Sequence, residues 1–255
     1  MPPAPSVEQT PATPAYGLYS AEFFDLQLRF AARVAELSGR SLADAVGHYT
    51  NIYVRLGIGH RLDVANPDWQ RYVEALAKVR EPAKWTHLVH RRRMRLPAGP
   101  ALASSVGCFS FALVGDGLVR LHFHPGEHPV ESPLAAANQH LRQRELATLL
   151  AGLKTSFGED VRIVGASWLY NLAAYRRLFP QRYLASLEPV EHPYQRMPLW
   201  GQFLNRDRGV RPDAATRFLS AIARASSLSE LGSCFPYCVL ATAAPAKWLY
   251  DHAGL

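Results

Sequence analysis

The chain has 255 residues, 48% hydrophobic and 19% charged, which is ample material for a packed interior. Its formal charge of +7 favours anionic partners such as phosphates or nucleic acid, but arginine spread along the chain supplies most of it, so the bias singles out no class. No apolar run approaches the roughly 18–20 residues that cross a bilayer, and Cys108, Cys234 and Cys238 form an odd set without a CxxC pair, so membrane-spanning and disulfide-framework readings give way to a reduced, cytoplasmic protein.

Residues 1–17, MPPAPSVEQTPATPAYG, lack a basic start and an apolar run, and read as a disordered Pro/Ala-rich tail and not as a signal peptide. In AEFFDLQLRFAARVAEL, Phe23, Leu26, Phe30, Val34 and Leu37 recur at three- and four-residue steps, which predicts a helix stopped by Ser38-Gly39. Ser41 caps a second helix, LADAVGHYTNIYVRLG, ending near Gly57. Asn66 caps a third, with Pro67 suited to its first position. These helices make residues 18–82 an N-terminal helical region, and no linker separates it convincingly from residues 83–255.

From Trp85 the period changes. THLVHRRRMRL reads as a strand with Leu88, His90, Arg92 and Met94 on one side and Arg91, Arg93 and Arg95 on the other. That arginine stripe would follow phosphates, yet no nucleic-acid motif accompanies it, so a charged edge strand is the expected role and nucleic acid is not an expected partner. VGCFSFALV, the turn GDG and LVRLHFH form the clearest hairpin, since Asp-Gly between β-rich runs is the strongest local hairpin signal. Pro133 opens a long helix, LAAANQHLRQRELATLLAGLK. The strand VRIVGA follows, then the mostly helical SWLYNLAAYRRLFP, in which Tyr175, Arg176 and Arg177 lie on the surface. Hairpin strands are expected around MPLWGQFL and NRDRG, with Trp200 and Gln202 sharing a face; Pro212 begins the helix DAATRFLSAIARA; FPYCVLATAAP is the last strand, with Cys234 and Cys238 buried beside it as inert thiols.

Two segments carry candidate chemistry. In LVRLHFHPGEHP, His122 and His124 point to one face of a strand, because side chains alternate with period two. One of them suits a general base, its ordinary pKa being near 6.5. Together with Glu127 or His128 they would also suit a metal, though the short gap to Glu127 fits no familiar motif. The plainer reading is a polar strand end bonded to backbone and water. The second segment, SWLYN, lies where a strand meets a helix, and ligands of open α/β sheets gather at such strand ends. Ser167, Tyr170 and Asn171, with Trp168 beside them, are therefore placed to contact substrate. Ser167 or Asn171 serves equally as a helix cap, worth about 1 kcal/mol, and Trp168 equally as core. No G-x-S-x-G elbow surrounds Ser167, which sets a serine hydrolase aside.

The order hairpin, long helix, strand, helix, strands, from about Trp85 to Leu204, resembles the core of the GNAT-type acyltransferase fold. VRIVGASWLYN resembles the strand–SWL segment of a divergent bacterial acyltransferase-like family, and LHFHP takes the place of that family's His-Ile-Pro strand end. The resemblance implies an α+β fold, a mixed and mostly antiparallel sheet with flanking helices beside the N-terminal helical region. It also implies acyl-CoA or another acyl thioester as donor and an amine or hydroxyl small molecule as acceptor. His122 or His124 would then be the base, with Glu127 nearby in the loop. The sequence departs from the pattern in HPGEHPVESPL, where the family's Gly-rich pyrophosphate turn is reduced to Gly126 and where Glu127 and Glu131 would repel phosphate. Leu178 stands where such enzymes often place a tyrosine. The departures motivate a second reading, a non-catalytic GNAT-like protein that binds a partner or an anionic ligand. A His-based metal-dependent enzyme ranks third, and no metal site is assigned.

Overall fold

The computed structural model describes residues 18–59, 61–94, 104–115, 117–124, 132–190, 198–205 and 207–255. The expected tail 1–17, Arg95, Gly126, Glu127, His128 and Glu131 lie outside the described residues.

Local chemistry sets the first helices. Helix α1 (Ala21–Ser38) begins where Ser20 Oγ accepts the Phe23 N–H, and ends on Gly39, whose φ of 71° suits a residue without Cβ and turns its N–H back to the Ala35 carbonyl. Helix α2 (Leu42–Tyr49) is capped by Ser41. After a break at Thr50 and Asn51 the chain resumes as α3 (Ile52–Arg55), and the buried Gln27 Oε1 closes the break by accepting the Asn51 N–H at 2.9 Å. Asn66 Oδ1 accepts from Asp68 and Trp69 at the start of α4 (Pro67–Leu76), with Pro67 in the first turn.

The expected strand THLVHRRRMRL is instead part of a helix, α5 (Pro82–Arg93). Pro82 suits a helix start, and Thr86 and His90, one turn apart, are the two buried side chains. Thr86 Oγ1 bonds Tyr72 Oη at 2.9 Å, and His90 lies between the Tyr19 N–H and the Arg55 carbonyl. Packing on α1 thus overrides an alternation made largely of charged residues. On a helix Arg91 and Arg93 stand roughly 200° apart, so the stripe does not form. Arg93 instead binds the Leu56 carbonyl and Asp68.

Strands β1 (Ser104–Val106), β2 (Phe109–Gly115) and β3 (Leu118–Phe123) form an antiparallel meander, with the expected hairpin paired from Phe109↔Phe123 to Gly115↔Leu118. A 3-10 turn, Ala136–Asn138, precedes the long helix, so α6 (Gln139–Phe157) starts later than Pro133. Then come β4 (Arg162–Ser167), a 3-10 turn Trp168–Asn171, the short helices α7 (Ala173–Arg176) and α8 (Gln181–Leu184), and β5 (Glu188–Pro189). Helices α9 (Pro212–Arg224) and α10 (Leu228–Ser233), strand β6 (Leu240–Pro245) and helix α11 (Lys247–Ala253) complete the chain. The result is a mixed α+β fold around an open six-stranded sheet ordered β1-β2-β3-β4-β6-β5, antiparallel except for β3 with β4.

Other expectations are corrected. MPLWGQFL is no strand within its described part: Pro198–Phe203 is a 3-10 helix, and only the isolated bridge Leu204↔Val210 resembles a hairpin there. Its aromatics pack into a core of rings, with Trp200 at 5.5 Å from Phe30 and 5.3 Å from Phe235. Gln202 is buried as well, its Oε1 accepting the Tyr237 N–H at 2.9 Å. Tyr175 is core and not surface, while Cys234 is half-buried and Cys238 exposed.

Two hydrophobic cores result. One joins α1–α4 to Trp200, Phe203, α9, α10, Phe235 and Val239, so the helical region is completed by residues late in the chain. The other lies between the sheet and α6, α7, α8 and α11.

Candidate functional site

The parallel pair is the feature from which the site follows. β3 and β4 pair at Leu118↔Arg162, Val119↔Ile163 and Arg120↔Val164, and then pairing stops although β3 runs on to Phe123 and β4 to Ser167. Each strand keeps its other neighbour: β2 pairs β3 as far as Phe123, and β6 pairs β4 as far as Ser167. The carboxyl halves of two adjacent strands therefore separate in mid-sheet. On the core side, the rings of Phe123, Tyr175 and Tyr170 gather by this opening, with centroids 5.3 Å apart for Phe123–Tyr175 and 5.2 Å for Tyr170–Tyr175. Gly165 permits this closeness, since a Cβ there would lie 2.5 Å from the Tyr170 hydroxyl.

Alternation puts Val119 and Leu121 in the core and leaves Arg120 and His122 exposed on the other face, with His124 two residues further on. Desolvation by neighbouring atoms lowers the His122 pKa from its ordinary 6.5, and the charges of Arg120 and His124 lower it further. His122 is thus neutral at pH 7 and able to accept a proton. The end of β3 is fixed from below. The His124 N–H donates to the Cys108 carbonyl at 2.9 Å, and Glu145 Oε2 accepts the Cys108 N–H at 3.0 Å. Glu145 also pairs with the buried Arg142 at 3.0 Å, and Arg142 Nη1 contacts Cys108 Sγ. Burial pushes the Cys108 thiol up to about 11, so it is a packing group and no nucleophile.

The SWLYN residues lie at the strand end as expected, but their polar groups face protein. Ser167 Oγ caps the following turn by accepting the Leu169 N–H at 3.1 Å. Asn171 Nδ2 donates to the carbonyls of Trp168 and Cys238, both at 2.8 Å, tying this corner to the approach to β6. Tyr170 is buried, its hydroxyl 2.8 Å from that of Tyr183, and burial raises its pKa to about 12. Trp168 stacks on Tyr237 at 5.9 Å. His122 and Tyr170 therefore lie on opposite faces of the sheet and share no hollow. Glu127 lies outside the described residues, and among those described no group of three or more His, Cys, Asp or Glu is placed to hold a metal.

Sequence reasoning missed a cleft of about 460 Å³ on the helical side, between α6, the turn joining α7 to α8, and α11. Its described polar lining is His140, Gln143, Arg144 and His252, its apolar lining includes Leu146, Leu150, Leu178 and Leu249, and no described lining residue is acidic. His140 and Arg144 sit one turn apart on α6 with Ala147 beyond them, a basic edge beside a small residue that the sequence offers as a signal. His252 lies more than a hundred residues later and joins only through the packing of α11 on α6. Leu178 lines the cleft and belongs to the core that holds Tyr170 and Tyr175. No described helix is long and apolar enough to cross a membrane. Comparison with known proteins gives no match to a family model, to a curated protein or to a solved structure.

Proposed function

We propose that the chain is a divergent GNAT-like acyltransferase that moves an acyl group from a thioester donor to an amine or hydroxyl acceptor. The observation that carries this reading is the short pairing of β3 with β4, three residue pairs followed by separation of both strand ends. The basic cleft, with no acidic side chain among its described lining residues, supports it from the helical side, because a donor such as acyl-CoA is anionic and partly apolar. His140, Arg144 and His252 would hold its phosphates in place of the missing Gly-rich turn, and Leu146, Leu150 and Leu249 would receive its apolar part. When bound, the donor supplies an activated acyl carbonyl. On the face of the sheet opposite this cleft, His122 would take the proton of an acceptor whose amine or hydroxyl attacks through the opening between β3 and β4; the carbon–sulfur bond breaks, and the thiolate leaves and is protonated by solvent. Desolvation first, and then the charge of Arg120, keeps His122 neutral and ready.

Calorimetric titration with acetyl-CoA and longer acyl-CoAs tests the donor site. Binding is expected in the native chain and tenfold or more weakening in Arg144→Ala, while His122→Ala binds normally and fails to transfer. Absence of heat with every acyl-CoA tried rejects the reading.

A second reading, an anion-binding protein without transfer activity, is favoured by one observation. The rings of Phe123, Tyr170 and Tyr175 pack beside the strand opening where a donor's arm would pass. Acyl-CoA binding with no turnover of any amine offered, in the native chain, selects it.

A further inference from the structure

We propose that the stacked rings of Trp168 and Tyr237 bind an aromatic ring, which makes the acceptor an aryl compound that carries the amine or hydroxyl. Calling that ligand the acceptor rests on the acyltransferase reading; the ring site itself follows from how the two side chains are held.

Trp168 is half-buried and Tyr237 is 39% exposed, and their ring planes lie 13° apart with centroids at 5.9 Å. Neither ring belongs to a hydrophobic core, although Tyr170, close by in the chain, joins the sheet core, and Phe235 and Val239 join the helical core. An aromatic pair left out of both cores contributes little burial, yet its backbone is held firmly. Asn171 Nδ2 donates to the carbonyls of Trp168 and Cys238, both at 2.8 Å. The buried Gln202 accepts the Tyr237 N–H through Oε1 at 2.9 Å and donates from Nε2 to the Tyr237 carbonyl at 3.4 Å. Two side-chain amides thus fix where both rings stand, and a surface fixed in advance loses less freedom when a ligand binds. Gly201 is exposed beside the indole. A Cβ there would lie 3.4 Å from Trp168 Nε1, so residue 201 leaves the N–H edge uncovered.

The pair stands where β4 leaves the sheet. Val164 lies across from Arg120, and Gly165 faces the core, where a Cβ would meet the Tyr170 hydroxyl. Ala166 therefore shares the face of Arg120 and His122, and Trp168 follows two residues later, at the end of the strand that has parted from β3. The ring platform and His122 border one opening, from β4 and from β3. Two partly exposed rings offer far less than the roughly 800 Å² per partner of a stable protein interface, so the occupant is a small molecule. Flat π faces and an indole N–H select a ring with an oxygen or nitrogen at its edge over an alkyl chain.

NMR titration of the native chain with free phenylalanine and with cyclohexylalanine tests the site, since the two amino acids match in charge and ring size and differ in the π face. Phenylalanine is expected to bind about fivefold more tightly. Tyr237→Leu and Trp168→Leu, each checked for native circular dichroism, keep an apolar side chain and bring the ratio to about one. Tyr237 is the exposed member, so its replacement gives the decisive variant even where Trp168→Leu unfolds. Arg144→Ala, in the separate cleft, leaves the ratio intact. Equal binding of the two amino acids, or binding of neither, overturns the proposal, as does a preference for phenylalanine that survives Tyr237→Leu. Titration with acyl-CoA separates the two readings: a ring preference without acyl-CoA binding upholds the ring site and rejects the donor, and acyl-CoA binding without a ring preference rejects the ring site alone.

Discussion

In the helical core, Phe30, Trp200, Phe203, Phe218 and Phe235 close on one another in edge-to-face, tilted and stacked pairs, while Gln27, Thr86, His90 and Gln202 sit buried among side chains and backbone that they bond. In the sheet core, an equally aromatic set ends beside two strands that have parted, with an open basic cleft against α6. The lesson is that similar composition serves two ends. Rings that fill a closed helical layer contribute stability, whereas rings packed under an interrupted sheet lie beside an opening between two strand ends.

The largest effect that tests this contrast is Trp200→Ala. Removing a ring ringed by four others should cost about 3–5 kcal/mol in urea unfolding, with no change in ligand affinity at the cleft. A loss below about 1 kcal/mol would mean that the helical core is as loose as the sheet end. Next comes Gly165→Ala. The added methyl meets the Tyr170 hydroxyl, so a cost of about 1–3 kcal/mol is expected, and adding Tyr170→Phe should restore part of it; a simple sum of the two single effects would show that they do not touch.

Smaller effects follow from the two shifted histidines. Burial, first among the causes, lowers the His90 pKa below 6.5, so the unfolded chain takes up a proton more readily than the folded one. Stability is therefore complete above about pH 6.5 and is lost as pH falls through the lowered folded value. Denaturant midpoints measured from pH 8 to pH 5 should decline on the acid side, and His90→Phe should flatten the decline. The smallest effect concerns His122. If it is the base, the acid limb of the transfer rate has its midpoint below the ordinary histidine value, and Arg120→Ala moves that midpoint upward by removing a repelling charge. A midpoint indifferent to Arg120 would assign the limb to another group.

Much of the order of elements is legible without coordinates. Ser41 and Asn66 act as caps, and the two hairpin runs pair with each other, because each signal is completed by residues close in sequence. The failures share a cause. In THLVHRRRMRL the arginines mimic alternation, while the decisive contacts of His90 come from Tyr19 and Arg55, both remote in the chain. In MPLWGQFL the aromatics are core, but their partners Phe30, Phe218 and Phe235 set the backbone, and these lie on α1, on α9 and in the segment after α10. Likewise, SWLYN has the expected place at a strand end, yet Cys238 and Tyr183 take up its amide and hydroxyl.

The sequence by itself determined where α1, α2 and α4 start and which runs form the hairpin, because caps and turns are local properties. Only the tertiary structure decided that β3 and β4 part after three pairs, that His122 and Tyr170 face opposite ways, and that His252 joins His140 and Arg144. Those outcomes depend on which surfaces bury one another, and burial is a property of the whole chain.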